Sequence, residues 1–229
     1  FDATIIVASN HGPMTYHGTN TYLLDGPDGT TVLDPGPDDA RHVEAILAAT
    51  DGRVARIFLT HTHAEHRGAV AALKAATGSP THAFHKSAEP SFAADVPLRD
   101  GETVAGLTAL HTPGHAADHL TFAFGDGILF TGDHVMSWNS SIVSPPRGDM
   151  ADYMSSLRRL LGRNDSLYLS GHGPPLAGPH AYVEDLIARR DERERAIVNA
   201  LSQSPVVIPS LADQLYGKTD PMLRYASER

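Results

Sequence analysis

The 229-residue chain contains no cysteine, which excludes disulfides, thiolate nucleophiles and cysteine-bound zinc. It has no run of ~18 apolar residues, so nothing in it reads as a membrane-spanning helix. It has no Gly-x-Ser-x-Gly elbow for a serine nucleophile. Positive charge is scarce: 18 Lys+Arg stand against 27 Asp+Glu, a formal net charge of −9. Residues 1–179 hold 11 basic and 19 acidic residues (11 − 19 = −8), and residues 180–229 hold 7 and 8 (7 − 8 = −1). An acidic body disfavours broad binding to phosphate backbones, which takes clustered Lys/Arg, although a local basic groove stays open. No basic stretch precedes an apolar segment at the start, so no secretory signal is visible and a cytoplasmic location is expected. The first residue is Phe1 and the last, Arg229, lies in a helix-like stretch, so further residues are expected on both sides.

With 41% apolar and 20% charged residues the chain is globular, sized for one large domain or one domain plus a small appendage. The outlier is histidine, at 14 residues. In a chain without cysteine, neutral imidazole is the natural nitrogen ligand for a metal.

The hydrophobic pattern begins with strands at Ala3–Ala8, Thr21–Leu24 and Thr31–Leu33, separated by Gly/Asp/Pro turns. Pro37-Asp38-Asp39 opens a helix with Val43, Ile46 and Leu47 on one face. A buried strand Val54–Thr60, a helix over Gly68–Thr77 closed by Gly78, and a short strand Thr81–Phe84 follow. A second β-rich part contains Gly106–Thr112 and a hairpin from Leu120 to Phe130 around Gly125-Asp126-Gly127. Asp149 caps a helix with Tyr153, Met154, Leu157, Leu160 and Leu161 on one face, and Ser166–Ser170 is a strand. A long helix His180–Gln203 and two short helical pieces, Leu211–Tyr216 and Pro221–Glu228, end the chain. The order predicts two mixed sheets sandwiched between helices, with a catalytic domain over 1–179 and a helical appendage over 180–229. Arg189, Arg190, Arg193 and Arg195 alternate with Asp191, Glu192 and Glu194, the pattern of a solvated helix with internal ion pairs rather than a nucleic-acid surface.

Chemistry concentrates in Thr60-His61-Thr62-His63-Ala64-Glu65-His66-Arg67-Gly68, between a buried strand and a helix. Three imidazoles and one carboxylate lie within six residues. One divalent ion takes about four ligands, and a catalytic site keeps one position open. Three further segments, Thr112-Pro113-Gly114-His115, Thr131-Gly132-Asp133 and Gly171-His172-Gly173, each sit just past a predicted strand, beside a glycine that permits close backbone approach. Their ligands would overfill one site and suit two.

These segments, in this order, resemble the metallo-β-lactamase superfamily, with its His-x-His-x-Asp-His motif followed by a distal His, a bridging Asp and a last His. The resemblance covers about residues 15–175. Gly18-Thr19-Asn20-Thr21-Tyr22-Leu23, Ser144-Pro145-Pro146 and the helical tail further resemble the subgroup of β-lactamase-like endoribonucleases and bacterial hydrolases of the same fold. The resemblance implies a four-layer αβ/βα sandwich with a winged-helix-like C-terminal appendage. It implies that His61, His63 and His115 hold one metal, that Glu65, His66 and His172 hold a second, and that Asp133 bridges the two. Glu65, Asp133 and His119 are the expected catalytic residues. Two zinc ions are expected, with iron or manganese as alternatives. Two cations ~3.5–4 Å apart would share a water and lower its pKa, giving a hydroxide near neutral pH for attack on the substrate.

Glu65 departs from the family's Asp. Its carboxylate reaches one C–C bond (~1.5 Å) further, whereas metal–oxygen distances tolerate about ±0.2 Å. A looser second ion is therefore expected, with Glu65 tuning its occupancy. Asp34 matches a position that supports the ligand loop. His119 is read as a supporting or substrate-facing residue. His134 is a weaker candidate, and Trp138, Asn139 and Tyr153 are candidates for the substrate mouth. The remaining histidines, His11, His17, His42, His82, His85, His111 and His180, are read as structural or surface residues. The expected substrate is a small amide, ester or lactone, β-lactams included. Single-stranded RNA cleavage is the first alternative, and sulfur oxidation by a mononuclear iron site is the second.

Overall fold

The computed structural model describes residues 3–125, 127–203 and 205–217. Among the described residues, twelve strands and six helices form two six-stranded sheets packed face to face with helices outside. The first sheet contains, side by side, β1 (Ala3–Val7), β2 (Asn20–Gly26), β3 (Gly29–Leu33), β4 (Val54–Phe58), β5 (Thr81–Phe84) and β6 (Val96–Leu98). β1–β3 are antiparallel neighbours, and β3–β6 pair in parallel. The second sheet runs β7 (Thr103–Val104), β8 (Leu107–His111), β9 (Leu120–Phe124), β10 (Ile128–Gly132), β11 (Leu167–Ser170) and β12 (Leu176–Ala177), with β10 and β11 parallel and the other pairs antiparallel.

Period-two patterning decides which side chains enter the sandwich. On β2, Tyr22 and Leu24 turn inward to join Phe58, Leu107, Phe122, Phe130 and Leu169 in the layer between the sheets. Leu23, on the opposite face, meets the first helical layer with Val32, Ile46, Ile57 and Leu73. That layer holds α1 (Ala40–Ala49) and α3 (Val70–Thr77). On the far side, Leu110, Leu129 and Tyr168 pack against α4 (Met150–Leu161) and the first turns of α5 (Pro179–Gln203), through Leu157, Leu160, Val183 and Leu186. Trimming a fully buried leucine such as Leu157 to alanine costs about 2–5 kcal/mol in such a core. The result is the predicted four-layer sandwich.

Helix starts follow the sequence signals. The Asp39 carboxylate accepts the Arg41 N–H at the head of α1, and Asp149 accepts that of Asp152 at the head of α4. Gly78 ends α3 in the left-handed conformation. The helix expected over Gly68–Thr77 is α3, and a four-residue helix that the pattern did not mark, α2 (Ala64–Arg67), precedes it. His63 is extended at the head of α2, and His66 lies buried on it. The strands β6, β7 and β12, of three, two and two residues, lie outside the segments that the pattern marks as strands. The penultimate helical piece is α6 (Ile208–Tyr216), and the one expected at Pro221–Glu228 lies outside the described residues.

Candidate metal centre

Strand ends from both sheets meet at one edge of the sandwich. Past β4 come His61, His63, Glu65 and His66; past β8, His115; past β10, Asp133; past β11, His172. Leu120 N–H donates to the Thr60 carbonyl at 2.7 Å, stitching the second sheet to the first beside the ligand loop. The chain brings all seven side chains together as two groups. His61, His63 and His115 form one, and Glu65, His66, Asp133 and His172 the other, with the candidate donor atoms of each group within 4.8 Å of one another.

Proton bookkeeping shows what the groups lack. Thr60 Oγ1 donates its hydrogen to Asp34 Oδ2 (2.8 Å), so His61 Nδ1, 3.0 Å from Thr60 Oγ1, is the donor to it. His61 Nε2 is therefore a lone pair. His115 Nδ1 lies 2.6 Å from the Ile142 carbonyl and must donate to it, which leaves His115 Nε2 as a second lone pair. Both lone pairs face His63 Nδ1, each at 3.0 Å, and one N–H can answer only one of them. In the second group, His172 Nδ1 faces the Gly18 carbonyl at 3.2 Å and His66 Nδ1 faces Asp34 Oδ2 at 3.0 Å. Their Nε2 atoms point at Asp133 Oδ1, at 3.5 and 3.3 Å. His66 Nε2, His172 Nε2 and Asp133 Oδ1 are all buried without a hydrogen-bond partner. Asp133 Oδ2 stands 3.6 Å from His115 Nε2, so one carboxylate faces both groups. Converging lone pairs and an orphaned carboxylate oxygen are costly in a dry pocket unless a cation sits among them. The donor set thus fits divalent metal.

The histidines divide in their protonation preferences. Burial, with the neighbouring imidazoles, drives His61 well below its ordinary value and His63 down to about 4. His66 is driven well above its ordinary value: burial opposes its charge, but Asp133 and Asp34 outweigh that. Burial works against ionised Asp133 too, yet His172 and His66 hold its carboxyl well below the usual range.

Supporting contacts hold the ligands in place. Asp34 accepts from Thr60 N–H (2.8 Å), Thr60 Oγ1 and His66, which locks the start of the ligand loop and the His66 tautomer. His119 is fully buried beneath the site. Its Nε2 accepts the Asp133 N–H at 3.2 Å and its Nδ1 meets Thr112 Oγ1 at 3.0 Å, so it touches the backbone of Asp133 rather than the mouth. Gly171 is required for close approach: a Cβ there would stand 2.6 Å from His66 Cε1 and 2.7 Å from Asp133 Oδ1. Gly132, at φ 48°, would drive a Cβ to 2.7 Å from His119 Nε2.

Several contributors escaped the sequence reading. Asp118, 2% exposed, accepts from Thr62 Oγ1 (2.5 Å) and Ala88 N–H (2.9 Å), tying three loops together. Asn20 Nδ2 donates to the Ser170 and Gly173 carbonyls on either side of His172, and Ser141 Oγ donates to the Asp133 carbonyl. The adjacency of Asp118 to His119 was an available signal; the Gly18 and Ile142 carbonyls offered none. Trp138 lies beside Gly173, its ring 5.2 Å from that of Tyr16, near His172. Asn139 accepts from the Ser140 N–H in the same loop. Tyr153 is buried in α4, its hydroxyl donating to the His134 carbonyl, and is a core residue. His134 is buried against the Tyr153 and His119 rings. Of the other histidines, His42 bonds Thr21 Oγ1, His82 stacks on Phe58, His111 on Phe84, and His180 bonds the Arg163 carbonyl.

A two-sheet sandwich with a histidine–carboxylate cluster at its open edge is an arrangement suited to a metal-dependent hydrolase. The family model of the metallo-beta-lactamase superfamily matches residues 14–172, and the chain belongs to that superfamily. The chain is similar to the lactamase-like protein aptB of Emericella nidulans, 31% identical over 207 residues that make up 87% of this chain and 65% of that protein. It is also similar to an atrochrysone carboxyl ACP thioesterase of Claviceps purpurea, 28% identical over 93% of this chain and 72% of that one. The fold matches the crystal structure of a metallo-beta-lactamase family protein from Thermus thermophilus, with a TM-score of 0.80 at 23% identity over 99% of this chain and 89% of that chain. Among the described residues, no helix is long and apolar enough to cross a membrane.

Proposed function

We propose that the protein is a zinc-dependent hydrolase of small acyl compounds, cleaving an ester, thioester, lactone or amide bond, with residues 1–179 as the catalytic unit and 180–229 as a helical appendage. The carrying observation is the convergence of seven side chains in two groups, with His66 Nε2, His172 Nε2 and Asp133 Oδ1 buried without partners. His61, His63 and His115 would hold one ion, Glu65, His66 and His172 the other, and Asp133 both. Bound there, two zinc ions would polarise the scissile carbonyl and acidify a water. The overall reaction adds water across the acyl bond, releasing a carboxylic acid and an alcohol, thiol or amine.

The chain's own contribution is preorganisation. Asp34 and the Gly18 and Ile142 carbonyls fix which nitrogen each histidine presents. His119 holds the Asp133 backbone, so we assign it a positioning role. The His63 and Glu65 side chains are 26% and 34% exposed, whereas those of His66 and His172 are fully enclosed. Substrate therefore enters on the His63/Glu65 side, past the ligands rather than through the sheets. The thioesterase among the relatives supports an acyl substrate.

Metal analysis paired with turnover of a thioester, a lactone, a β-lactam and single-stranded RNA tests this. Two zinc ions per chain with acyl hydrolysis is the expected result. RNA cleavage that weakens steeply with salt would replace the substrate, and a coloured iron protein consuming dioxygen would replace the chemistry.

A further inference from the structure

Two guanidinium groups flank the ligand loops outside the metal centre. Arg67 follows His66 at the end of α2, and its Nε donates to the Thr62 carbonyl (3.0 Å), between His61 and His63. Arg147 lies in the loop that leads to α4. That loop is pinned to the His115 segment by the Asp149 N–H, which donates to the Gly114 carbonyl at 2.8 Å. Both arginines converge on one carboxylate, Glu89 Oε2, with Arg67 at 3.9 Å and Arg147 at 3.8 Å. Those separations are ion-pair distances beyond hydrogen-bond reach. The other oxygen, Oε1, accepts from Ser91 Oγ at 3.0 Å, which holds Glu89 in its own loop. Two cations against one carboxylate leave a surplus of one positive charge, in a chain whose net charge is −9. Lys74 on α3 carries no such surplus, because Asp95 contacts it at 2.6 Å.

We propose that Arg67 and Arg147 form an oxyanion subsite at the entrance, which takes a phosphate or carboxylate carried by the substrate, with Glu89 as an internal stand-in that the ligand displaces. A planar fork offers paired N–H groups to such an anion, and Glu89 leaves these forks unsaturated. The subsite rests on the acyl-hydrolase reading and narrows it to acyl compounds with an anionic handle, the source of the anion being left to the assay.

The test uses the metal-loaded protein and three substrates with a common acyl group: a coenzyme A thioester bearing phosphates, a neutral N-acetylcysteamine thioester, and an ester bearing a carboxylate. Arg147, with a 56% exposed side chain and Glu89 as its ion-pair partner, can be changed without disturbing the core. Arg147→Gln should lower kcat/KM about tenfold for whichever anionic substrate the subsite takes, and leave the neutral thioester unchanged. Glu89→Gln should raise kcat/KM for the same anionic substrate several-fold. Phosphate and carboxylate sources are told apart by which substrate responds. Binding of desulfo-coenzyme A and of the carboxylate product, followed by calorimetry, gives a readout without turnover: Arg147→Gln should weaken one of them about tenfold. Equal losses on neutral and anionic substrates, or no change in the anionic preference and in binding with either variant, would overturn the subsite. Hydrolysis of the neutral thioester alone would keep the acyl-hydrolase reading and remove the subsite. Absence of any acyl turnover, with Arg147-dependent anion binding intact, would do the reverse.

Discussion

The two ligand groups differ in charge and in access to water. His61, His63 and His115 offer nitrogen alone, and His63 is partly exposed. The other group holds two carboxylates, and all of its members except Glu65 are buried. A dication held by three neutral imidazoles and a share of Asp133 would keep more of its charge, and would be the stronger Lewis acid for it. A dication between Glu65 and Asp133 would be more fully neutralised. Since Glu65 carries the longer side chain where the family has Asp, the second group is the one expected to hold its ion less tightly.

The sharpest way to break this contrast is Asp133→Asn, which touches both groups. It should cost more than about a hundredfold in kcat/KM, with metal content falling at both positions by elemental analysis. Asp34→Asn acts directly on the second group through His66, and on the first only through Thr60 and His61, so it should cost about ten- to a hundredfold in affinity for the looser ion and less for the tighter one. Glu65→Asp tests the contrast from the other side: chelator titration should show the second ion held more tightly than in the parent. Two tightly held ions in the parent, unchanged in Glu65→Asp, would remove the difference between the groups.

The smallest effect lies far from either group. Hydrogen bonds from Lys74 first, then from Thr81, hold the Asp95 carboxyl well below its ordinary value. A depressed carboxyl stabilises the fold above its unfolded pKa of about 4, and that contribution is lost as pH falls through the folded value. Asp95 is 39% exposed, so screening keeps the effect small. Asp95→Asn should lower stability at neutral pH by on the order of 1 kcal/mol or less and flatten the acid limb of a denaturation curve, without altering metal content.

The two groups also differ in how far the sequence announces them. His61 to His66 share one loop, so their spacing is readable as a ligand set. His115, Asp133 and His172 are single residues at three strand ends, each meaningful only with the others. The four layers were legible because alternation on β9 and β10 and the apolar faces of α1 and α4 are long enough to show a period. β6, β7 and β12 are too short to show one. The carbonyls of Gly18 and Ile142, which set the tautomers of His172 and His115, were invisible because a backbone oxygen is the same in every residue.

The ligands come from loops of both sheets, with Leu120 and Thr60 joined between them. Ions held there would act as cross-links spanning residues 61 to 172. They would resist any sliding of one sheet past the other, and chelation should make amide exchange faster along the shared edge before it does so in the outer helices.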